Sequence, residues 1–457
     1  MTERLKQDDI LELTVSDDGM AGEGIVRYGD YTLFIPHCIK GERVRAKVTH
    51  VRKDNVVFTE LKEVVRKSED RVDFPCNRFT RCGGCDLMHM EYRHQLKIKR
   101  DNIIRLLSKN AGLNVEVEEI EPCSTPYGYR NKIQLPFGTV NGRVAMGFFK
   151  ENSHKIVSIT KCFLHGDWAE KLIKIFLDYA SEFNLTAYDD NTGRGHLKHL
   201  VARYIDGKLS LVLVTDEKNL VGKEYLINRL SKEFPHYSFY QSKKPEKTNV
   251  ILGKQLIPIK TEPVVLDVMG IKTELNPYSF LQLNSEIRDK IYSRIIEEIT
   301  EKSNPIVIDA YAGVGVLGAV LAKNGAKVYN VEIVPEATKD ADTLAERNSL
   351  TDKITNYNGD AALLLPNLIN SIYDTQKEDL GNLNIILDPP RKGCDSRVLN
   401  ALNSLDTPHG LYYISCNPAT LTRDLKILKN YKIEYVKPYD MFPQTKHVET
   451  LVCLTRN

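Results

Sequence analysis

Cys416 lies in Ile414-Ser415-Cys416-Asn417-Pro418, where an apolar run that reads as a strand (Gly410-Leu411-Tyr412-Tyr413-Ile414) gives way to a helix expected from about Ala419. A thiol at such a junction faces unpaired N–H groups and the positive end of the helix dipole, which favour thiolate over thiol. Taken alone, a cysteine is more often a small core residue. Its company reverses that reading: a glycine loop at Gly313-Val314-Gly315-Val316-Leu317-Gly318, the turn Asp388-Pro389-Pro390-Arg391, and the carboxylate of His447-Val448-Glu449-Thr450.

These groups suit methyl transfer to a nucleic-acid base. Carbon 5 of uracil is a poor nucleophile, but adding a thiolate to carbon 6 makes an enolate whose carbon 5 attacks an electrophilic methyl; Cys416 is the expected thiolate. The surplus proton on carbon 5 must then leave as the sulfur is expelled, and Glu449 is the expected base. Asp388 is expected to hydrogen-bond the uracil edge. A base stacked in RNA must first be flipped out, at a cost of a few kcal/mol. Tyr278, Phe280 and Phe442 are aromatic candidates to stack on it.

Such residues need a rigid edge to hold them. After about Asn276, near-continuous apolar strands alternate with helices, which implies a parallel sheet covered on both faces. The glycine loop follows Pro305-Ile306-Val307-Ile308-Asp309, so Gly313 and Gly315 are expected to let the backbone approach a nucleotide. That string alone reads as readily as a nicotinamide site. Glu332 ends the next strand, where a ribose diol would be gripped, and Asn358-Gly359-Asp360 after the third suits an adenine edge. The proline pair fixes its turn and presents Asp388 at the carboxyl edge, where open α/β sheets place ligands.

Upstream, residues 9 to about 63 alternate at period two with regular turns, which predicts a small β-barrel of a kind that binds oligonucleotides. From Phe74 to about Asn249, helical and strand-like runs mix, predicting an α+β region. Cys76, Cys82 and Cys85 crowd into ten positions around Gly83-Gly84, with Cys162 a distant fourth. Such a set points to a metal centre: tetrahedral zinc, or, since zinc favours two close pairs, a cubane iron–sulfur cluster. Cys38, Cys123, Cys394 and Cys453 read as structural.

The 457 residues carry a net charge of +2, with 42% hydrophobic and 27% charged side chains. This fits a soluble protein of two or three domains and argues against a uniformly basic coat. Local basic patches remain at Arg43, Arg45, Lys47, Arg52 and Lys53, and at Lys97, Lys99, Arg100 and Arg105. No signal peptide or spanning run is evident, so a cytoplasmic location and no membrane partner are expected.

Taken together, these motifs resemble the RNA 5-methyluridine methyltransferases, and within them the bacterial 23S ribosomal RNA (uracil-5-)-methyltransferases that carry an iron–sulfur cluster. The resemblance implies a multidomain α/β architecture: an RNA-binding TRAM barrel over 1–65, a central α+β domain with a [4Fe-4S] cluster over 66–270, and a Rossmann-like class I methyltransferase domain over 271–457. It implies S-adenosylmethionine as cofactor, cluster ligands Cys76, Cys82, Cys85 and Cys162, nucleophile Cys416 and base Glu449. Ser279-Phe280-Leu281-Gln282-Leu283-Asn284 matches a motif whose glutamine touches the cofactor. Tyr311, Glu332 and Asp388 match positions that contact cofactor or uracil. The family usually has cysteine at Ala312 and phenylalanine at Leu281, which implies altered packing only. The expected partner is 23S ribosomal RNA, bound by a monomer. The alternatives are a transfer-RNA uracil-5 methyltransferase, members of which generally lack the barrel and the cysteines, and a non-catalytic iron–sulfur RNA-binding protein. Methyl transfer to an adenine amine or a glutamine is disfavoured by Arg391 and Cys416.

Overall fold

The computed structural model describes residues 4–150, 153–217, 219–244, 250–278, 281–375, 382–405 and 409–456. The chain forms two compact units, one of Met1–Ile103, Phe148–Val157 and Phe442–His447, the other of Ile104–Gly147, Ser158–Met441 and Val448–Asn457.

The first unit opens with six strands: β1 (Ile10–Thr14), β2 (Asp17–Asp18), β3 (Gly24–Tyr28), β4 (Tyr31–Ile35), β5 (Arg43–Val51) and β6 (Val56–Arg66), in the order β1-β5-β6-β4-β3-β2. They wrap one core that includes Leu13, Val15, Leu33, Ile35, Val44 and Val48. On β5 the alternation expected of a half-buried strand is clear: Val44, Ala46 and Val48 point inward, Arg43 and Arg45 outward. Those outward cations are neutralised. Arg43 and Arg45 pair with Glu12, Arg45 also with Glu63 at 3.2 Å, Lys47 with Asp8 at 2.7 Å and Arg52 with Asp54 at 2.9 Å. Arg43, Arg45, Lys47 and Arg52 of the first expected basic patch are therefore paired with acids.

Helix α1 (Tyr92–Leu106) carries the second patch, and there Lys99 is a correction to the sequence reading. It is buried, and its ammonium donates to the Phe442 carbonyl at 3.0 Å. Gln95 and Gln444 exchange hydrogen bonds, Gln95 Nε2 to Gln444 Oε1 at 3.0 Å and Gln444 N to Gln95 Oε1 at 3.1 Å. This fixes the 442–447 segment in the first unit.

The second unit holds two sheets. The first is mixed and contains β7 (Lys132–Val140), β8 (Arg143–Phe149, whose last two residues belong to the first unit), β10 (Leu197–Ile205), β11 (Lys208–Thr215), β12 (His236–Lys243) and β13 (Leu256–Lys260); β9 (Ile156–Ser158) is a short strand divided between the units after Val157. Helices α2 (Asp167–Glu182) and α3 (Lys223–Glu233) belong to it; α2 buries Trp168, Leu172, Phe176 and Tyr179 along one stripe. A hairpin, β14 (Val265–Val268) and β15 (Ile271–Glu274), leads into α4 (Ser285–Thr300), whose first turn is capped by Asn284 accepting from Ile287 N.

The second sheet alternates with helices: β16 (Ile306–Ala310), α5 (Val316–Lys323), β17 (Lys327–Glu332), α6 (Pro335–Arg347), β18 (Ile354–Asn358), α7 (Ala361–Thr375), β19 (Leu383–Leu387), α8 (Ser396–Ser404), β20 (His409–Ser415), α9 (Pro418–Leu425), β21 (Lys432–Tyr439) and β22 (Glu449–Arg456). The strand order is β18-β17-β16-β19-β20-β22-β21, with β22 alone running against the others. Every residue of β16, β19 and β20 is buried, which is why these strands read as apolar runs. The exposed edge of β21 is covered: Glu118 N donates to Val436 O and Glu121 N to Pro438 O, both at 2.9 Å. Among the described residues no helix is long and apolar enough to cross a membrane.

Candidate active site

The carboxyl ends of β16 to β20 converge on one edge. Directly after β16, Tyr311 holds φ at 81°, a conformation costly for a non-glycine residue, and its N–H donates to Val331 O at 3.0 Å. Gly313 and Gly315 follow with φ of 57° and 75°. A Cβ added to Gly315 would lie 2.9 Å from Asn330 Nδ2, and one on Gly318 would lie 2.4 Å from Asn330 Oδ1. One on Gly313 would meet nothing within 4 Å. Gly315 and Gly318 thus let α5 pack on β17, while Gly313 faces open space where a ligand's backbone contact can form.

Glu332, at the end of β17, accepts from Gly313 N at 2.9 Å through one oxygen and from Val334 N at 2.8 Å through the other. The ribose-binding candidate therefore also braces the glycine loop. Asp360 accepts from Ala362 N at 3.0 Å, capping α7, and pairs with Arg397 at 3.0 Å. The Gln282 carbonyl accepts from Asn131 Nδ2 at 3.0 Å. Tyr278 is half exposed and donates to Gly253 O at 2.7 Å. Phe280, the second stacking candidate, and Ser279 lie outside the described residues; Phe442, the third, belongs to the first unit.

Asp388 follows β19, whose Leu387 pairs with Ala310, so Asp388 emerges level with Tyr311. The β20–β22 ladder pairs Ser415 with Thr450, which sets Cys416 opposite Glu449 one step beyond. Glu449 is buried at 2% exposure, not the exposed carboxylate that a strand start usually carries. Burial pushes its carboxyl well above the usual range, and Asp388 adds to this while Arg391 opposes it. Asp388 itself is pushed up to about 7 by burial.

The thiolate expectation needs correction. Asn417 caps α9 by accepting from Ala419 N at 3.1 Å, so Cys416 sits outside the cap. Burial, then Glu449 and Asp388, push its thiol up to about 11, against a smaller pull from Arg391. Desolvation and two carboxyls outweigh the helix terminus. Burial and the two neighbouring acids thus favour the thiol over the thiolate at Cys416.

Two groups escaped the sequence reading. Asp309 is buried at the end of β16 and pushed up to about 8 by burial, Asp388 and Glu332. Its signal was an acid in the otherwise apolar run Ile306-Val307-Ile308-Asp309-Ala310. Tyr292 on α4 is raised by burial and by Asp388, and it carries no comparable signal. Perturbed groups gathered at a ligand edge are what acid–base chemistry needs.

Cys76, Cys82 and Cys85 occupy a loop of the first unit that turns twice, Phe79 N donating to Cys76 O at 3.2 Å and Cys82 N to Arg78 O at 2.8 Å. Cys162 lies in the second unit, its carbonyl accepting from His165 N at 3.1 Å. The thiols are the donor type for a metal or cluster, but among the described residues no three His, Cys, Asp or Glu side chains are gathered so as to hold a metal ion. Cys38, Cys123, Cys394 and Cys453, expected to be structural, are buried.

A doubly wound sheet in this order, with one reversed strand beside its edge and a glycine loop after the first strand, is the fold of the class I methyltransferases. A solved structure of a Pyrococcus abyssi tRNA (uracil-54, C5)-methyltransferase in complex with S-adenosyl-L-homocysteine shares it, at a TM-score of 0.74 and 24% identity over 97% of this chain and 100% of that one. The tRNA (Uracil-5-)-methyltransferase family matches residues 244–457. An uncharacterized RNA methyltransferase of Clostridium tetani is 37% identical, covering 99% of this chain and 97% of its own, and another of Halalkalibacterium halodurans is 36% identical, covering 98% of each. The chain belongs to the RNA uracil-5 methyltransferase family.

Proposed function

We propose that the chain methylates carbon 5 of a uridine in 23S ribosomal RNA, with S-adenosylmethionine as donor and Cys416 as nucleophile. The observation that carries this is that Cys416 directly follows the Ser415–Thr450 pair of β20 and β22, so that Glu449 and Asp388 both act on its thiol at the ligand edge. A thiol and a buried carboxyl so placed flank one ring and suit addition at carbon 6 with proton removal at carbon 5.

S-adenosylmethionine supplies an electrophilic methyl group when bound. Tyr311, Gly313, Gly315, Glu332, Asp360, Asp388 and Gln282 would hold it; the open space at Gly313 and the acids ringing the edge fit a nucleoside and an amino group. In the reaction Cys416 loses its proton to an ionised carboxylate of the cluster, and the thiolate bonds to carbon 6. Asp388, its carboxyl pushed up to about 7 by burial, donates to or accepts from the uracil edge. Glu449, as carboxylate, takes the carbon 5 proton; the carbon–sulfur bond breaks and its electron pair returns to sulfur.

The cysteine loop is read as the [4Fe-4S] site, with Cys162 the fourth ligand. Three thiols around a glycine pair support this in kind, whereas the described geometry does not gather them. No step of the reaction runs through it.

The ribosomal target is favoured by the resemblance in the N-terminal region. A transfer-RNA target is the second reading, because the archaeal enzyme named for tRNA shares the fold over nearly the whole chain, so the N-terminal sheet does not by itself separate the two. Mapping 5-methyluridine in ribosomal and transfer RNA from cells with and without the gene decides it: loss confined to 23S RNA supports the proposal, and loss confined to transfer RNA replaces it. A turnover assay with labelled cofactor separates both from a non-catalytic RNA-binding protein.

A further inference from the structure

The segment from Arg391 to Asp395, just after the Asp388 turn, is tethered on two sides. On one side lies α9. The Arg391 carbonyl accepts from Asn417 Nδ2 at 3.2 Å and from Thr420 Oγ1 at 3.4 Å, and the Lys392 carbonyl accepts from Arg423 Nη2 at 2.9 Å. Cys394 N donates to Asp424 Oδ2 at 2.9 Å. The same oxygen accepts from the Tyr413 hydroxyl of β20 at 2.6 Å, and the other takes Arg423 Nε at 2.7 Å. Asp424 is fully buried. Gly393, at a φ of 80°, approaches so closely that an added Cβ would lie 2.5 Å from Asp424 Oδ2.

On the other side lies the glycine loop. The Tyr311 hydroxyl lies close enough to the Cys394 thiol and the Asp395 backbone for both to act on it. One short segment therefore joins the residue that opens the glycine loop to the helix that begins beside Cys416.

An apolar replacement of a buried charge is often no less stable, so stability alone does not explain a buried carboxylate here. Asp424 instead fixes a register: three donors from α9, β20 and the 391–395 segment converge on its two oxygens, and no neutral apolar side chain could hold all three. We propose that Asp424 is a positioning residue, which sets the Asp388–Arg391 turn and Tyr311 against Cys416 so that nucleophile and cofactor edge are aligned together. This rests on Cys416 being the nucleophile.

The test uses the purified full-length protein and an RNA containing 5-fluorouridine, in which fluorine replaces the proton that the base must remove, so that the covalent adduct accumulates. With S-adenosylmethionine present, Asp424→Asn should slow adduct formation at least tenfold while RNA affinity stays within twofold. Tyr413→Phe, which keeps the ring and removes one donor, should slow it by a smaller factor of three or more. Variants that melt at lower temperature but form adduct at the parental rate while folded would overturn the proposal. Should Asp424→Asn fail to fold, Tyr413→Phe decides alone, and a parental rate there is equally fatal. If the parental protein forms no adduct, the nucleophile assignment fails first and removes the basis of the proposal.

Discussion

Cys416 and Glu449 stand opposite one another one step beyond the Ser415–Thr450 pair of the β20–β22 ladder. The paired Ser415 and Thr450 bring their Cβ atoms to within about 5 Å, and Cys416 and Glu449 are the next residues outward on each side. Two segments some thirty residues apart are thus matched by sheet register, which a one-residue slip would destroy. The reversal of β22 is what makes this possible: a parallel strand would bring its carboxyl end, not its start, to the edge.

Removing either partner should separate the two halves of the reaction. Cys416→Ala should abolish methylation while S-adenosylhomocysteine still binds, because nothing in the cofactor edge depends on the thiol. Glu449→Gln should allow addition and methylation and then stall, leaving a covalent protein–RNA species that survives denaturing electrophoresis. Normal turnover by Glu449→Gln would remove its assignment as base.

The acid cluster predicts an inverted pH dependence of stability. Asp388 and Asp309 are raised from 3.8 to about 7 and about 8. Between pH 4 and pH 8 the native state holds protons that the unfolded chain has released, so stability falls as pH rises through that window. One unit of elevation corresponds to about 1.4 kcal/mol. Asp309→Asn should therefore stabilise the protein by about 1 to 3 kcal/mol at pH 8 and leave it little changed at pH 4. Urea denaturation at the two pH values reads this directly, and an equal effect at both would refute it. Methylation should meanwhile rise with pH towards 9, as the Cys416 thiol, pushed up to about 11, ionises more readily.

The sheet edge was legible because each of its residues follows an apolar strand and sits at a turn with restricted backbone: Gly313, Asp388 before two prolines, Cys416 before Asn417-Pro418. What the sequence concealed was environment. A helix start suggests a depressed thiol, but the burial of Cys416 and its two acid neighbours depends on strands that pair far from it in the chain. Lys99 looked like part of a basic face because helical spacing shows which residues share a side, not what covers that side. Asp309 was visible as an acid among apolar residues, yet only the fold places it beside Asp388 and Glu332.

The glycine loop is sensitive in a graded way. Gly318→Ala would drive a methyl group into Asn330 Oδ1, at 2.4 Å before relaxation, in the packed interface of α5 and β17. Overpacking of this kind typically costs about 1 to 3 kcal/mol. Gly313→Ala meets no protein atom, though its φ of 57° is strained for alanine. Its larger effect should therefore fall on cofactor affinity. Thermal midpoints and S-adenosylhomocysteine titrations should rank the two variants in opposite orders; the same order in both would show that Gly313 does not face the cofactor.

The cysteine loop gives the last prediction, and it turns on composition. Protein purified without oxygen should be brown and should contain about four irons and four sulfides per chain if a cubane is held. Cys82→Ser should bleach it. Because Cys76, Cys82 and Cys85 lie in a loop of short turns outside any helix or strand, losing the cluster should loosen that loop while the core of β1 to β6, which contains none of these cysteines, keeps its stability. Protease cleavage near Arg78 and Arg81 should thus increase in Cys82→Ser with no change in the melting of the first sheet. Stoichiometric zinc in colourless protein would replace the iron–sulfur reading with a structural zinc site.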